Sequence, residues 1–217
     1  MNEPEKLSRT IWVGVGLVIV LLCLSFVLSR VKERPAAAPA LPFIGQIADF
    51  TLTNQFNQPV TLDDLRGKIW VADIIFTSCA GPCPRMTRQM RGLQEALPKT
   101  SAAKLVTLTT HADFDSPAVL KKYGEKYNAD FSQWMFLTGD KVQIANLGID
   151  SLKLTAVEKK PEERTDPADL FIHSTIFVLV DKQARLRGVY ETGGENVEWK
   201  DVQKELLAAI KQLEREP

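Results

Sequence analysis

An apolar run that leads into two cysteines constrains the fold of this chain most strongly. Residues 69–76 (IWVADIIF) are almost all apolar and rich in β-branched side chains, which is the pattern of a strand buried on both faces. Residues 77–82 interrupt the run, and apolar side chains spaced three and four apart then predict a helix over 83–97. The sequence therefore predicts a central strand, a loop that carries cysteines, and a helix, in that order.

Strands and helices alternate through the rest of this part of the chain. The pattern predicts a hairpin over 50–53 and 58–62, strands at 105–109, 134–137, 174–180 and 185–190, and helices at 117–127, 140–147 and 197–213. Residues 150–172 are charged and irregular in pattern. The order favours an α/β fold, a thioredoxin-like mixed sheet flanked by helices and preceded by an N-terminal β-hairpin.

The N-terminal part of the chain has a different composition. Residues 11–29 carry no charge, and as a helix they would extend over roughly 28 Å, about the thickness of a hydrocarbon core. We therefore predict one N-terminal transmembrane helix there, as a retained anchor in preference to a cleaved signal peptide, whose apolar region is about 7–15 residues. A short tail at 1–10 precedes this anchor, a Pro/Ala-rich tether at 30–43 follows it, and the thioredoxin-like domain occupies 44–213.

Charge and composition exclude several functions. The 27 basic residues balance the 27 acidic ones, so binding of nucleic acid through phosphate charge is not expected. The sequence contains no glycine-rich phosphate loop, so we expect no nucleotide cofactor. Cys23 lies inside the predicted anchor, and the large Leu22 before it argues against a lipoprotein attachment site. We interpret Cys23 as an apolar filler.

Cys79 and Cys83 are the residues best placed for chemistry. They are separated by three residues between a buried strand and the start of a helix, where backbone dipoles stabilise a thiolate and lower its pKa. Two sulfurs at this spacing suit either a bound metal ion or a two-electron redox couple. A static disulfide would close too small a loop to remove much chain entropy. A thioredoxin-type motif would have two intervening residues rather than three.

One of the two histidines is a candidate third ligand. His173 directly precedes the strand at 174–180, whose start lies beside the cysteine loop in a thioredoxin-like sheet. Two thiolates and an imidazole suit Cu(I) and can also hold Cu(II), whereas a structural zinc site would want a fourth ligand. His111 follows the strand at 105–109, and we assign it at most a supporting or transient role. Met86 and Met90 have the spacing of core residues.

We predict structural roles for the acidic residues near these positions. Asp113 and Asp115 are predicted to be turn and capping residues, and Ser116 followed by Pro117 is a helix start. The charged stretch at 158–169 is interpreted as a solvated surface insertion.

Three segments together resemble the Sco/SenC family of copper-binding, membrane-tethered thioredoxin-like proteins. They are residues 76–84 (FTSCAGPCP), residues 115–123 (DSPAVLKKY), and residues 173–175 (HST) with the apolar strand and Asp181 that follow. The resemblance covers about residues 44–213. It implies copper ligation by Cys79, Cys83 and His173, and a role in maturing the dinuclear copper centre of cytochrome c oxidase.

The chain departs from the family pattern at three places. Ala80 stands where the family usually has proline, Ile172 replaces an acidic residue before the histidine, and His111 and Ala112 replace an Asp-Pro pair. These changes leave the three expected ligands intact and alter their surroundings, which tune the affinity of such sites and the docking of partners.

The leading functional hypothesis is a membrane-tethered copper chaperone, not an enzyme, that delivers copper to this oxidase centre or reduces its cysteines. The alternatives are a thiol–disulfide oxidoreductase or redox sensor that uses Cys79 and Cys83, and an assembly scaffold with an inert disulfide. The expected partners are the copper-receiving subunit of the oxidase, a thiol reductant or another copper chaperone, and the membrane. The resemblance places the domain of this single-pass protein in the periplasm, or in the intermembrane space if it is mitochondrial. Lysine and arginine counts beside 11–29 weakly favour the opposite orientation.

Overall fold

The computed structural model describes residues 3–32, 39–154, 156–158, 162, 171–173 and 175–216. They fall into two compact units, Met1–Ala40 and Leu41–Pro217.

The first unit contains one helix, α1 (Glu3–Lys32). Its large apolar side chains between Trp12 and Phe26 are exposed. In the portion of the chain that the structure describes, we find no helix with both the length and the hydropathy needed to cross a membrane. The transmembrane helix predicted over 11–29 is not confirmed, and residues 33–38 of the predicted tether lie outside the described residues.

The second unit is built on ten strands and four helices within its described residues. The strands are β1 (Gly45–Gln46), β2 (Thr51–Asn54), β3 (Pro59–Thr61), β4 (Trp70–Ile75), β5 (Lys104–Thr109), β6 (Trp134–Thr138), β7 (Ala156–Glu158), β8 (Phe171–His173), β9 (Ile176–Val180) and β10 (Arg185–Glu191). The helices are α2 (Cys83–Ala96), α3 (Pro117–Lys126), α4 (Lys141–Ala145) and α5 (Trp199–Arg215). A 3₁₀ turn at Leu62–Asp64 and a π-helical turn at Asn146–Ser151 complete them.

Eight of the strands form one mixed sheet in the order β1-β10-β9-β4-β5-β6-β2-β3. β4, β5 and β6 are parallel, and the other neighbouring pairs are antiparallel. The predicted α/β arrangement and the hairpin of β2 and β3 are confirmed. β7 and β8 form a separate two-stranded antiparallel sheet inside the segment predicted to be irregular. Residues 155, 159–161 and 163–170 of that segment lie outside the described residues.

Both faces of the sheet are covered, which explains the apolar run of β4. Val71 and Ile75 point into the layer that contains buried residues of α2 and α5, and the alternate residues Trp70 and Ile74 point into the opposite layer. Each fully buried side chain of this size contributes about 1.5–3 kcal/mol. Met86 and Met90 of α2 are completely buried, as the helical spacing predicted, and the other predicted elements agree with the structure to within a few residues.

The edge of the sheet at the end of β4 carries the two cysteines. β4 and β5 are parallel, so their carboxyl ends share this edge. β9 is antiparallel to β4, with Ala72 opposite Val178, so β9 begins at the same edge. The loop at 76–82 then leads into α2, which starts at Cys83 with proline in its first turn.

Candidate functional site

The cysteine loop brings two thiols together. Cys79 is 7% exposed, and Cys83, the first residue of α2, is completely buried. Both cysteines are thiols with no disulfide between them, and their side chains share a hydrogen bond. The Gly81 N–H donates to Cys79 Sγ at 3.3 Å, and the Cys79 N–H donates to the Phe76 carbonyl at 3.2 Å. The structure therefore places the two sulfurs side by side at the edge of the sheet, with Cys79 the more accessible.

The hydrogen bond between the two sulfurs changes the acidity expected for Cys83. This bond, together with burial, raises the pKa of the Cys83 thiol far above its ordinary value, and the charge of Asp73 raises it further. The sequence predicted a lowered pKa from the position at a helix N-terminus, and for Cys83 that prediction is wrong. Complete burial and the shared proton outweigh the helix dipole. Cys83 is therefore a neutral thiol at physiological pH in this structure.

A buried carboxylate holds the loop that precedes Cys79. Asp115 is completely buried, and its Oδ2 accepts hydrogen bonds from the Thr77 N–H at 3.0 Å and from the Thr109 hydroxyl. Its Oδ1 accepts a bond from the Thr77 hydroxyl. The prediction that Asp115 is a turn or capping residue is wrong, because Ser116 caps α3 and Asp115 points inward to the cysteine loop.

Asp113, the neighbouring acid, faces outward. It forms an ion pair with Lys141 at the surface, and 70% of its side chain is exposed. The two acids thus have different roles although they are two residues apart.

A second buried acid, Asp73, lies on β4 among the apolar residues. The Thr107 hydroxyl donates to Asp73 Oδ1 at 2.6 Å, and the Trp134 indole N–H donates to that Thr107 oxygen at 2.9 Å. Asp73 Oδ2 has no hydrogen-bond partner among the described residues. Burial raises the pKa of Asp73 to about 7. Sequence reasoning missed this residue, although a single acid inside an apolar run was a visible signal.

For His173, the predicted third ligand, the structure describes only the backbone. His173 is the last residue of β8, where it pairs with Ala156, and its side chain lies outside the described part of the chain. Ser174 also lies outside it, and β9 begins at Ile176 rather than at 174. Among the side chains that the structure describes, we find no cluster of three or more His, Cys, Asp or Glu residues that could hold a metal ion.

His111 lies just beyond β5, at the same edge of the sheet as the cysteine loop. Its ring stacks on Phe114 with 5.6 Å between centroids, and its backbone N–H donates to the Thr109 hydroxyl. Thr109 in turn donates to Asp115. His111 therefore belongs to the hydrogen-bonded surroundings of the loop.

Two adjacent thiols permit two kinds of chemistry. As thiolates they are soft ligands for a metal such as Cu(I), to which the chain can add a further ligand. As a dithiol they can give up two electrons and two protons to form a disulfide. Both reactions need the access that Cys79 has at the edge of the sheet.

Comparison with known proteins shows which family the chain belongs to. A family model described as SCO1/SenC matches residues 44–208, which is most of the chain. The chain belongs to the SCO1/SenC family. The resemblance read from the cysteine loop, the segment at 115–123 and the segment around His173 is therefore confirmed.

Solved structures of SCO1/SenC proteins agree with this assignment. A SCO1/SenC family lipoprotein from Bacillus anthracis is 30% identical, with a TM-score of 0.65, over 83% of this chain and 100% of that one. BsSco, described as a member of the Sco family of cytochrome c oxidase assembly proteins with a disulfide switch, is 29% identical, with a TM-score of 0.64, over 80% and 99%. Bradyrhizobium japonicum ScoI, solved with copper bound, is 22% identical and shares the fold, with a TM-score of 0.63, over 77% and 99%.

Proposed function

We propose that this SCO1/SenC protein is a copper chaperone that binds copper through Cys79, Cys83 and His173. It serves the dinuclear copper site of cytochrome c oxidase during assembly, by delivering copper or by reducing the cysteines of that site. The observation that carries the proposal is the hydrogen-bonded pair of thiols at the carboxyl edge of β4. Such a pair fits a soft monovalent cation, and copper here is the cargo of the protein.

Two relatives support the choice of cargo and client. B. japonicum ScoI has been solved with copper bound, and BsSco belongs to proteins that assemble cytochrome c oxidase. The partners of this chain would then be the copper-receiving oxidase subunit and either a thiol reductant or another copper chaperone. The reductant is needed because only the dithiol form offers two thiolates.

Anaerobic copper titration of the reduced full-length protein tests the ligand set. We expect one Cu(I) per chain, and a loss of affinity of at least about tenfold in each of Cys79→Ser, Cys83→Ser and His173→Ala, because each removes one ligand. His111→Ala is the matched control, because it changes a histidine at the same edge outside the proposed ligand set. Full retention of Cu(I) and Cu(II) affinity in His173→Ala would exclude His173 as the third ligand.

The difference in exposure between the two sulfurs supports a second candidate function, thiol–disulfide exchange. The Cys79 thiolate would attack a client disulfide and release one client thiolate. Cys83 would then attack the mixed disulfide, which forms the Cys79–Cys83 bond and frees the second client thiol. Cys83→Ser should trap the mixed disulfide, and His173→Ala should reduce a model disulfide as fast as the unmodified protein. A slow reaction in His173→Ala would favour the metal-binding function alone.

We also propose that residues 11–29 tether the protein to a membrane, with the domain at 44–213 on the periplasmic or intermembrane-space side. The 19 uncharged residues and the lipoprotein relative from B. anthracis support membrane attachment. Alkaline carbonate extraction tests the tether. The full chain should stay in the membrane pellet, and a chain that begins at residue 39 should be released.

A further inference from the structure

An acidic groove lies between β10 and the first turns of α5. It encloses about 400 Å³, and its apolar part includes Val189, Tyr190 and Val202. Four acids line it: Glu191, Glu198, Asp201 and Glu205. None of its described lining residues is a lysine or arginine, although the chain as a whole has no net charge. The groove therefore concentrates negative charge that the rest of the molecule balances elsewhere.

The dipole of α5 explains only part of this acidity. The dipole of α5 favours acids at its start, which accounts for Glu198 at the N-cap and Asp201 in the first turn. Glu205 lies beyond the first turn, where the dipole gives it little stabilisation. These three carboxylates are exposed, and none has a basic partner among the described side chains.

Tyr190 adds a polar group to the lining of the groove. Only 7% of the residue is exposed, and its hydroxyl, which is not among the fully buried polar atoms, has no hydrogen-bond partner among the described residues. Burial and the charge of Glu205 raise the pKa of Tyr190 to about 12, so the hydroxyl is neutral at physiological pH. The ring packs so closely on Gly188 that a Cβ there would lie 2.8 Å from the hydroxyl oxygen. A donor in the groove would take the place of water at this hydroxyl.

We propose that this groove binds a segment of a partner protein that carries lysine or arginine. The aliphatic stem of the basic side chain would pack on Val189 and Val202. Its cation would lie among the carboxylates and donate to the Tyr190 hydroxyl. Apolar walls that end in unpaired acids fit such a side chain in both polarity and charge.

The groove lies close to the edge of the sheet that carries the cysteine loop. Glu191 at its end is paired with Ile176, the first residue of β9, which lies at the edge of the sheet where β4 ends. The Gln89 side chain of α2 donates to the Thr192 carbonyl at 2.8 Å, which joins this end of β10 to the helix that begins at Cys83. A segment held in the groove would therefore bring its protein beside the cysteine loop. The proposal does not depend on copper binding.

A peptide titration tests the groove. The probe is the fluorescein-labelled peptide GAKVAKVG, and its counterpart with glutamate in place of lysine is the peptide control. Both are titrated by anisotropy into reduced, copper-free full-length protein at low ionic strength. We expect the lysine peptide alone to bind, and the triple variant Glu198→Gln/Asp201→Asn/Glu205→Gln to weaken binding by about tenfold or more, because the paired charges are lost. Tyr190→Phe should weaken it about twofold to fivefold.

The matched control removes the same three charges elsewhere. Glu95→Gln/Glu125→Gln/Asp150→Asn changes exposed acids on other elements and should alter affinity by less than about twofold. Equal weakening by both triple variants would overturn the proposal, because binding would then follow overall charge. An unchanged affinity in Tyr190→Phe would also overturn it. Self-association of the free protein that the groove variant abolishes would assign the groove to a second copy instead of a partner protein.

Discussion

The Asp115 carboxylate accepts two hydrogen bonds from Thr77, one from its backbone N–H at 3.0 Å and one from its hydroxyl. Thr77 lies two residues before Cys79, and Asp115 lies 38 residues further along the chain. The position of the cysteine loop therefore depends on a segment that follows the next strand.

Removing this carboxylate should loosen the loop. Asp115→Ala leaves buried donors of Thr77 and Thr109 without their acceptor, and we expect the free energy of unfolding to fall by about 2–4 kcal/mol. Urea unfolding measures that loss, and alkylation of Cys79 in the folded protein should become faster. Asp113→Ala is the matched control, since it breaks only an exposed ion pair and should cost less than about 1 kcal/mol. Equal losses in the two variants would contradict this role of Asp115.

Asp73 should make the protein less stable as pH rises. Its pKa is about 7 in the folded state, against an ordinary value of 3.8. Between these values the unfolded chain has released the proton that the folded protein keeps, so the free energy of unfolding falls with pH, by up to about 4 kcal/mol in all. Asp73→Asn keeps an acceptor for Thr107 and removes the titration.

Urea unfolding from pH 4 to 8 checks the effect of Asp73. The unmodified protein should lose stability relative to Asp73→Asn across this window. Asp150→Asn, which changes an exposed acid, should follow the unmodified protein. Parallel curves for Asp73→Asn and the unmodified protein would show that the folded-state pKa is not raised.

Two helical glycines should respond oppositely to alanine. A Cβ on Gly124 in α3 would lie 2.6 Å from the Phe131 ring and 2.9 Å from the Phe136 ring, so Gly124→Ala should cost about 1–3 kcal/mol through overpacking. A Cβ on Gly92 in α2 would meet its nearest atom at 3.7 Å, so Gly92→Ala should gain up to about 1 kcal/mol of helix propensity. Thermal unfolding compares them, and a stabilised Gly124→Ala would show that the two rings can move aside.

The buried ion pair of Asp181 and Arg187 should be costly to break. The Arg187 guanidinium donates to Asp181 Oδ2 at 2.7 Å, and only 7% and 3% of the two side chains are exposed. Burial by itself would raise the pKa of Asp181, but hydrogen bonds from Arg187 and Arg185 lower it. Asp181→Asn should therefore cost about 1.5–3 kcal/mol at pH 7, because the buried guanidinium then keeps, among the described side chains, only Glu216 as an anionic partner.

Low pH should remove the contribution of Asp181 to the free energy of unfolding. A lowered pKa contributes stability above the pKa of the unfolded chain, and that contribution is lost as pH falls through the folded-state value. The difference between Asp181→Asn and the unmodified protein should therefore shrink below about pH 4. Asp63→Asn is the control, because its pair with Arg66 is exposed, and it should cost less than about 1 kcal/mol. A difference that stays constant down to pH 2 would contradict the lowered pKa.

The sequence predicts the main sheet well and the surroundings of the cysteines poorly. The β4 strand and the α2 helix follow from local patterns, because burial on both faces or on one stripe dictates which residues are apolar. β1 has only two residues, too few for any pattern. The roles of Asp73 and Asp115 depend on partners 34 and 38 residues away, and spacing along the chain does not reveal such contacts. The Cys79 and Cys83 pair could be recognised because only three residues separate the two cysteines in the sequence.

Arg187 also brings the two ends of the second unit together, which bears on circular permutation of the chain. Its guanidinium binds the carbonyl oxygens of Leu41 and Pro42 at 2.8 and 3.0 Å, and the carboxylate of Glu216 at 3.0 Å. The first and last described residues of the second unit thus meet at one side chain, within the reach of a short linker. A circular permutant that joins these two ends and opens an exposed turn elsewhere would keep every one of these bonds.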